Sequence, residues 1–192
     1  MITVSTSNES YHHGSLREAL VKAGIAALEG HEGKDVSLRE LARAVGVSPT
    51  AVYRHFPDKK ALTEALATEG LKMLYEAQKA ASDAARNSAN AFAETGRAYV
   101  RFALAHPALF RLMFTQGDPV LHSAENDQAR ALLDETTRAL TGDKEAGERL
   151  ALQAWAIAHG IAMLMLDGRI PADDALIDRL LDTRSLFPTA GC

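Results

Sequence analysis

The 192-residue chain has a single cysteine, Cys192, at its last position. No internal disulfide can form, so a reducing compartment, the cytoplasm, is the expectation. Proline is scarce, with six in the chain, and alternating apolar and polar stretches are missing, which sets sheet architectures aside. Positive charge is not in excess: 21 lysines and arginines face 25 acidic residues, a net charge of -4. Bulk electrostatics therefore exert no pull toward nucleic acid. Long hydrophobic runs are missing too. The most apolar stretch, Ala151 to Leu166, is broken by Gln153, His159 and Gly160, so no membrane span is expected. Met1 to Ser5 leads into polar residues without a charged and then apolar segment, so no secretory leader is expected. No nucleophile–base pair, phosphate loop or metal-ligand spacing stands out. Neither catalytic residues, nor a metal, nor a cofactor is expected.

What is present is helix. Hydrophobic residues make up 47% of the chain and charged residues 24%, ordinary values for a globular protein able to bury a core. Ser15-Leu16-Arg17-Glu18 has the form of a capping box, in which serine and glutamate each satisfy a free N–H at a helix start. Leu16, Leu20, Ala23 and Ala27 follow at helical spacing, and Gly30 and Gly33 are placed to end the helix. The same tetrapeptide recurs at Ser37-Leu38-Arg39-Glu40, opening a second helix with Leu38, Leu41, Ala42 and Val45 on one face. Gly46 ends it, and Ser48-Pro49 starts a third, serine as cap and proline in the first turn. Val52 and Phe56 face inward on that third helix. Pro57-Asp58 closes it, and Asp58 caps a fourth helix carrying Leu62, Leu66 and Leu74.

Residues 37–56 thus encode a short helix, a glycine turn and a second short helix, the order of a helix-turn-helix. The outward side of the second helix carries Thr50, Ala51, Tyr53, Arg54 and His55. Hydroxyls of Thr50 and Tyr53 suit phosphates, Ala51 or Thr50 suits a thymine methyl, and Arg54 suits guanine or phosphate. Lys59 and Lys60 follow at a helix start, where backbone N–H groups also favour an anion. Within residues 1–60, eight basic side chains meet seven acidic ones, and four of the seven histidines lie there. That balance permits DNA binding without demanding it. A capped helical hairpin with surface charges accounts for the same residues.

Residues 12–75 resemble the DNA-binding region of the TetR family of transcriptional regulators. The resemblance runs through Val36-Ser37-Leu38-Arg39-Glu40-Leu41-Ala42, Val45-Gly46-Val47-Ser48, Ala51-Val52-Tyr53-Arg54-His55-Phe56 and Lys59-Lys60-Ala61-Leu62. Tyr11-His12-His13-Gly14 is similar to one subgroup in which the first helix begins near the DNA backbone. The resemblance implies an all-α fold of about nine helices: a three-helix DNA-binding head over 12–70 and a helical ligand-binding and dimerisation body over 71–187. Flexible ends are expected at 1–11 and 188–192. It also implies a homodimer on double-stranded palindromic operator DNA, and repression released by a small-molecule effector. Carried over residue by residue, Ser37, Ser48, Thr50, Tyr53, His55 and Lys59 would touch phosphates. Pro49, Ala51 and Arg54 would lie nearest the bases, with Arg54 setting sequence preference. A regulator without a small effector is the alternative, and a helical ligand-binding protein or enzyme a more distant one.

In the body, Asn87 to His106 reads as a helix with Phe92, Tyr99, Phe102 and Ala103 spaced for burial, and Pro107 opens a short segment holding Leu109, Phe110, Met113 and Phe114. The run from His106 to Phe114, together with Trp155-Ala156-Ile157-Ala158-His159-Gly160, resembles a TetR subgroup named for its Trp-x-x-x-His-Gly motif. Trp155 and His159, four apart, share a helix face, with Trp155 in the core and His159 bonded to a carbonyl or carboxylate as the plainer reading. His159 has no His or carboxylate three or four residues away at a convincing ligand spacing, so zinc would lack its usual set, although sequence does not say whether His106, His122 and His159 meet in space. Pocket candidates for an apolar effector are Phe102, Phe110, Met113, Phe114, Trp155, His159 and Met163, each of which also suits plain core packing. The stretch Glu145 to Asp167 is apolar nearly all round and must be covered on every side, by its own chain or by a second subunit. Ala151, Ala154, Ala158 and Ile161 there, with Leu176 and Leu180 on a last helix, are the expected dimer interface.

Overall fold

The computed structural model describes residues 13–30, 36–115 and 128–182. Among these residues there are nine helices and no strand: α1 (His13–Gly30), α2 (Leu38–Val45), α3 (Pro49–His55), α4 (Lys59–Asp83), α5 (Ser88–Ala105), α6 (Pro107–Thr115), α7 (Gln128–Thr141), α8 (Lys144–Leu166) and α9 (Asp174–Leu180). The all-α reading holds. The chain divides into two compact units, Met1–Leu66 and Ala67–Cys192, with the division inside α4. The expected flexible ends, 1–11 and 188–192, lie outside the described residues, as do Gly33 and His122.

In the first unit, α2 packs against both α1 and α3. Leu20, Leu41, Val52, Phe56 and Leu62 are almost wholly buried there, each worth about 1.5–3 kcal/mol of transfer free energy. The Arg17 guanidinium lies 5.4 Å from the centre of the Phe56 ring, a cation–π approach that covers one side of the unit's largest core aromatic. Two of the expected caps differ from the sequence reading. α1 begins at His13, so Ser15 sits inside the first turn rather than ahead of it. Ser37 does hold the extended cap conformation, and its carbonyl accepts the Leu41 N–H at 3.0 Å, but its side chain makes no cap bond.

In the second unit, α8 is flanked by α5 and α7, which also touch each other, while α6 and α9 pack on α5. Gly147 shows how close α7 and α8 come: a Cβ there would lie 3.1 Å from the Arg138 Cα. The core gathers Phe92, Tyr99, Val100, Ala103, Leu109, Phe110, Met113 and Ile177. Arg97 and Arg101 of α5 bind Asp178 at 3.0 and 3.2 Å, and Arg101 also binds Asp174 at 2.7 Å, fastening α9.

By length and composition alone α8 could cross a membrane, a test that the core helix of a soluble protein also passes. Within one chain it is covered on one side only. Gly147, Ala151, Ala158, Ile161, Ala162 and Met165 point inward. Leu152 and Leu164 stay 55% and 45% exposed, with Gln153 and Ala156 exposed between them.

Candidate nucleic-acid interface and body cavity

The helix pair of the first unit is set by its turn. Gly46 adopts φ 74° and ψ 31°, the left-handed conformation that costs a glycine least. The turn closes with the Val47 N–H on the Ala42 carbonyl at 2.9 Å and the Gly46 N–H on the Arg43 carbonyl at 3.3 Å, a Schellman arrangement. Two residues later Ser48, in extended conformation, accepts the Ala51 N–H on its hydroxyl at 3.2 Å, with Pro49 opening α3. Asp58 does the same for α4, accepting the Ala61 N–H at 2.8 Å.

These caps fix how α3 is rolled. Val52 and Phe56 are buried. Thr50, Tyr53 and Arg54 are exposed, Ala51 and His55 are half-buried, and Ser48, Pro49 and Lys59 lie open beside them. Tyr53, 45% exposed, is a large aromatic that the unit does not bury. Ser37 is half-buried at the start of α2, its hydroxyl not turned back onto the helix. The residues named from sequence thus lie along α3 and its two flanks.

The second unit holds a cavity of about 250 Å³ lined by residues of α4, α5, α6, α7 and α8, among them Leu74, Gln78, Tyr99, Phe114, Arg130 and Trp155. A narrower space of about 50 Å³ reaches toward α9 past Phe92, Thr95, Ala154 and Leu181. Of the expected pocket residues, Phe114 and Trp155 line the larger space. Phe110 and Met113 are fully buried core side chains, so their aromatic and thioether surface is already spent on packing. Phe102 is buried against the His106 ring, 4.9 Å between centres. Met163 is half-buried and lines neither space.

His159 lines neither space but is tied to the larger one through Tyr99. The Tyr99 hydroxyl is 2.9 Å from His159 Nδ1 and accepts the Trp155 Nε1–H at 3.3 Å. The partner of His159 is thus a hydroxyl rather than the expected carbonyl or carboxylate. Indole N–H can only donate, so Tyr99 accepts from Trp155; its bond with Nδ1 runs from the hydroxyl or from the ring according to the imidazole tautomer. Burial pushes the His159 pKa below its ordinary value, favouring the neutral ring. The imidazole is packed by Phe110, ring centres 5.5 Å apart and nearly parallel, and by Phe114 edge-on at 4.9 Å. Tyr99, Gln78 and Arg130 bring polar groups to this wall, beside the indole N–H of Trp155. Sequence reading placed Tyr99 in the core by its spacing and passed over Gln78. Among the described residues, no three of His, Cys, Asp and Glu gather to hold a metal ion.

Residues 18–66 match the family described as bacterial regulatory proteins, tetR family, and residues 92–184 match the Tetracyclin repressor-like C-terminal domain. The chain belongs to the TetR family of transcriptional regulators. Its TetR-type fold extends over nearly all its length: a Rhodococcus sp. RHA1 protein of unknown function is 34% identical, with a TM-score of 0.77 over 93% of this chain and 95% of that one. A TetR variant from Acinetobacter baumannii AYE, solved in complex with minocycline, shares the fold with a TM-score of 0.66 over 93% and 97% of the two chains at 16% identity. The nucleoid occlusion factor SlmA of Marinobacter nauticus is 40% identical over 52 residues, which span 27% of this chain and 27% of that protein. As a TetR-family member the chain is a DNA-binding transcriptional regulator, not an enzyme.

Proposed function

We propose that this TetR-family regulator is a cytoplasmic repressor that binds palindromic operator DNA as a homodimer and is released by a small, largely apolar effector. The work divides between a DNA-binding head over residues 12–70 and a ligand-binding and dimerisation body over residues 71–187. The observation that carries this reading is the outer face of α3, where Thr50, Tyr53 and Arg54 stand exposed while Val52 and Phe56 anchor the opposite side. Ser37, Ser48, Thr50, Tyr53, His55 and Lys59 take phosphates; Pro49, Ala51 and Arg54 lie against base edges.

The effector part rests on the cavity of about 250 Å³ between the body helices, a volume and an aromatic lining suited to a small apolar molecule. A neighbour of the same fold holds minocycline, which speaks for the fold's capacity and not for this chain's ligand. Phe114 and Trp155 contact the effector directly. His159 acts on it through Tyr99, and Phe110 backs the wall through its ring contacts with Tyr99 and Phe114, whereas Phe102 lines a separate groove with His106.

The dimer part rests on the open face of α8. Ala151, Ala158 and Ile161, expected at a subunit interface, are covered by the chain's own helices, and Ala154 is half-buried beside them. Leu176 and Leu180 are half-buried on α9, whose inward residue is Ile177. The interface therefore shifts to the opposite stripe, Leu152, Ala156, Gly160 and Leu164, spaced four apart and so aligned along one ridge.

Selection of bound sequences from random DNA tests the reading. A palindrome with half-site centres about 34–36 Å apart is expected; enrichment of no sequence would overturn it. An effector-free regulator would give the same palindrome but no thermal stabilisation by any apolar small molecule.

A further inference from the structure

Gln78 lies on α4, is 7% exposed, and lines both the larger cavity and its narrow extension. Its Nε2 donates to the Thr95 carbonyl at 3.1 Å, while its Oε1 is buried with no hydrogen-bond partner. The amide cannot be turned over to exchange these roles. Thr95 offers a carbonyl, which only accepts, so Nε2 must face it and Oε1 must face away. A buried acceptor left unanswered is destabilising, and buried polar groups in folded proteins are nearly always answered.

Resting on the reading of this cavity as an effector site, we propose that Gln78 Oε1 is the specificity point of the pocket, and that the effector is a neutral, largely apolar molecule carrying one O–H or N–H donor for it. The surrounding groups narrow the chemistry. Trp155, Tyr99 and Phe114 give flat apolar walls. An anion would bring lone pairs against the Gln78 carbonyl oxygen. Arg130, the positive charge in the lining, is already held by Asp134 at 3.1 Å and lies 6.0 Å from the Trp155 ring centre. A cation would meet that same guanidinium across the cavity. A neutral donor meets neither penalty.

Trp155 is the chain's sole tryptophan and stands in the cavity wall, so its fluorescence in the full chain reads occupancy directly. The probes are para-tert-butylphenol, its methyl ether para-tert-butylanisole, and the anion para-tert-butylbenzoate. The ether has more apolar surface, so hydrophobicity alone favours it; a preference for the phenol must come from the donor. We expect the phenol to bind about tenfold tighter than the ether, with the benzoate weakest. In Gln78→Met, which keeps the length but removes the acceptor, phenol and ether should bind within about twofold of each other. Equal affinity of the two for the unmodified chain would overturn the donor assignment, leave the cavity as an apolar site, and point to water as the occupant of Oε1. Preference for the phenol persisting in Gln78→Met would overturn it as well, by placing the acceptor elsewhere. Quenching by none of the probes would overturn the effector reading and this inference together. The wild-type comparison decides the matter even if Gln78→Met does not fold.

Discussion

His159 is half-buried against the Tyr99 hydroxyl and the rings of Phe110, Phe114 and Trp155, none of which carries a charge to balance an imidazolium. Its pKa is lowered by burial from the ordinary 6.5. The sign follows from linkage. Above about pH 6.5 the imidazole is neutral in both folded and unfolded chains and contributes no pH dependence. Below that, the unfolded chain takes up a proton that the folded chain refuses, and stability falls with pH until the lowered folded value is reached. Thermal unfolding followed from neutral pH into the mildly acidic range should show His159→Gln losing less stability than the wild type. Parallel curves would remove the neutral-imidazole assignment. At the other end of the chain, Arg54 and Lys59 divide the work differently. Arg54→Ala should reduce discrimination between operator and random DNA by about 1–3 kcal/mol. Lys59→Ala should weaken binding to both alike and lower the salt slope by about one unit. Gel shifts at several salt concentrations on the two DNAs distinguish these outcomes; matching profiles for the two variants would refute the division.

At the scale of the helix, what was legible in the sequence is what is local in the sequence. Ser48, Pro49 and Gly46 act on residues within four positions of themselves, so their types state their roles: a cap, a first turn and a left-handed stop. Ser37 has the same local signal as Ser48 and the same extended backbone, yet its side chain makes no cap bond, because a cap also needs a side-chain rotamer that sequence does not specify. The polar wall of the cavity was not legible for the opposite reason. Tyr99 meets His159 across 60 positions and Gln78 meets Thr95 across 17, and helical periodicity reports burial without reporting partners. The pair of serines gives a test. Ser48→Ala should cost about 1 kcal/mol of stability, seen as faster hydrogen exchange at the α3 amides. Ser37→Ala should stay within about 0.5 kcal/mol while still weakening DNA binding. Gly46→Ala should cost about 1–2 kcal/mol although a Cβ there meets nothing within 4 Å, because its whole cost is the positive φ. An equal loss from both serines would mean that Ser37 caps α2 in solution.

For the whole molecule, the phase of α8 decides how two copies would meet in the proposed homodimer. An all-round apolar helix does not announce which side its own chain will take, and Ala151, Ala158 and Ile161 proved to be on that side. The stripe left open has Gly160 at its middle, where a Cβ would meet nothing within 4 Å inside the chain. Two opposing effects therefore act on Gly160→Ala. Within one chain, replacing a mid-helix glycine by alanine stabilises by about 1 kcal/mol. Across a close helix-to-helix contact, the added methyl would hold apart two backbones that Ala156 and Gly160 allow to approach, at a cost of about 1–3 kcal/mol. Sedimentation velocity over a dilution series should accordingly show Gly160→Ala dissociating at higher concentration than the wild type. Leu152→Glu, which places a charge on the same ridge, should shift the balance further toward monomer. At the dilute end, where single chains dominate, Gly160→Ala should unfold at a higher temperature than the wild type. Unchanged dissociation in both variants, with the alanine stabilising at every concentration, would move the subunit contact off this face of α8.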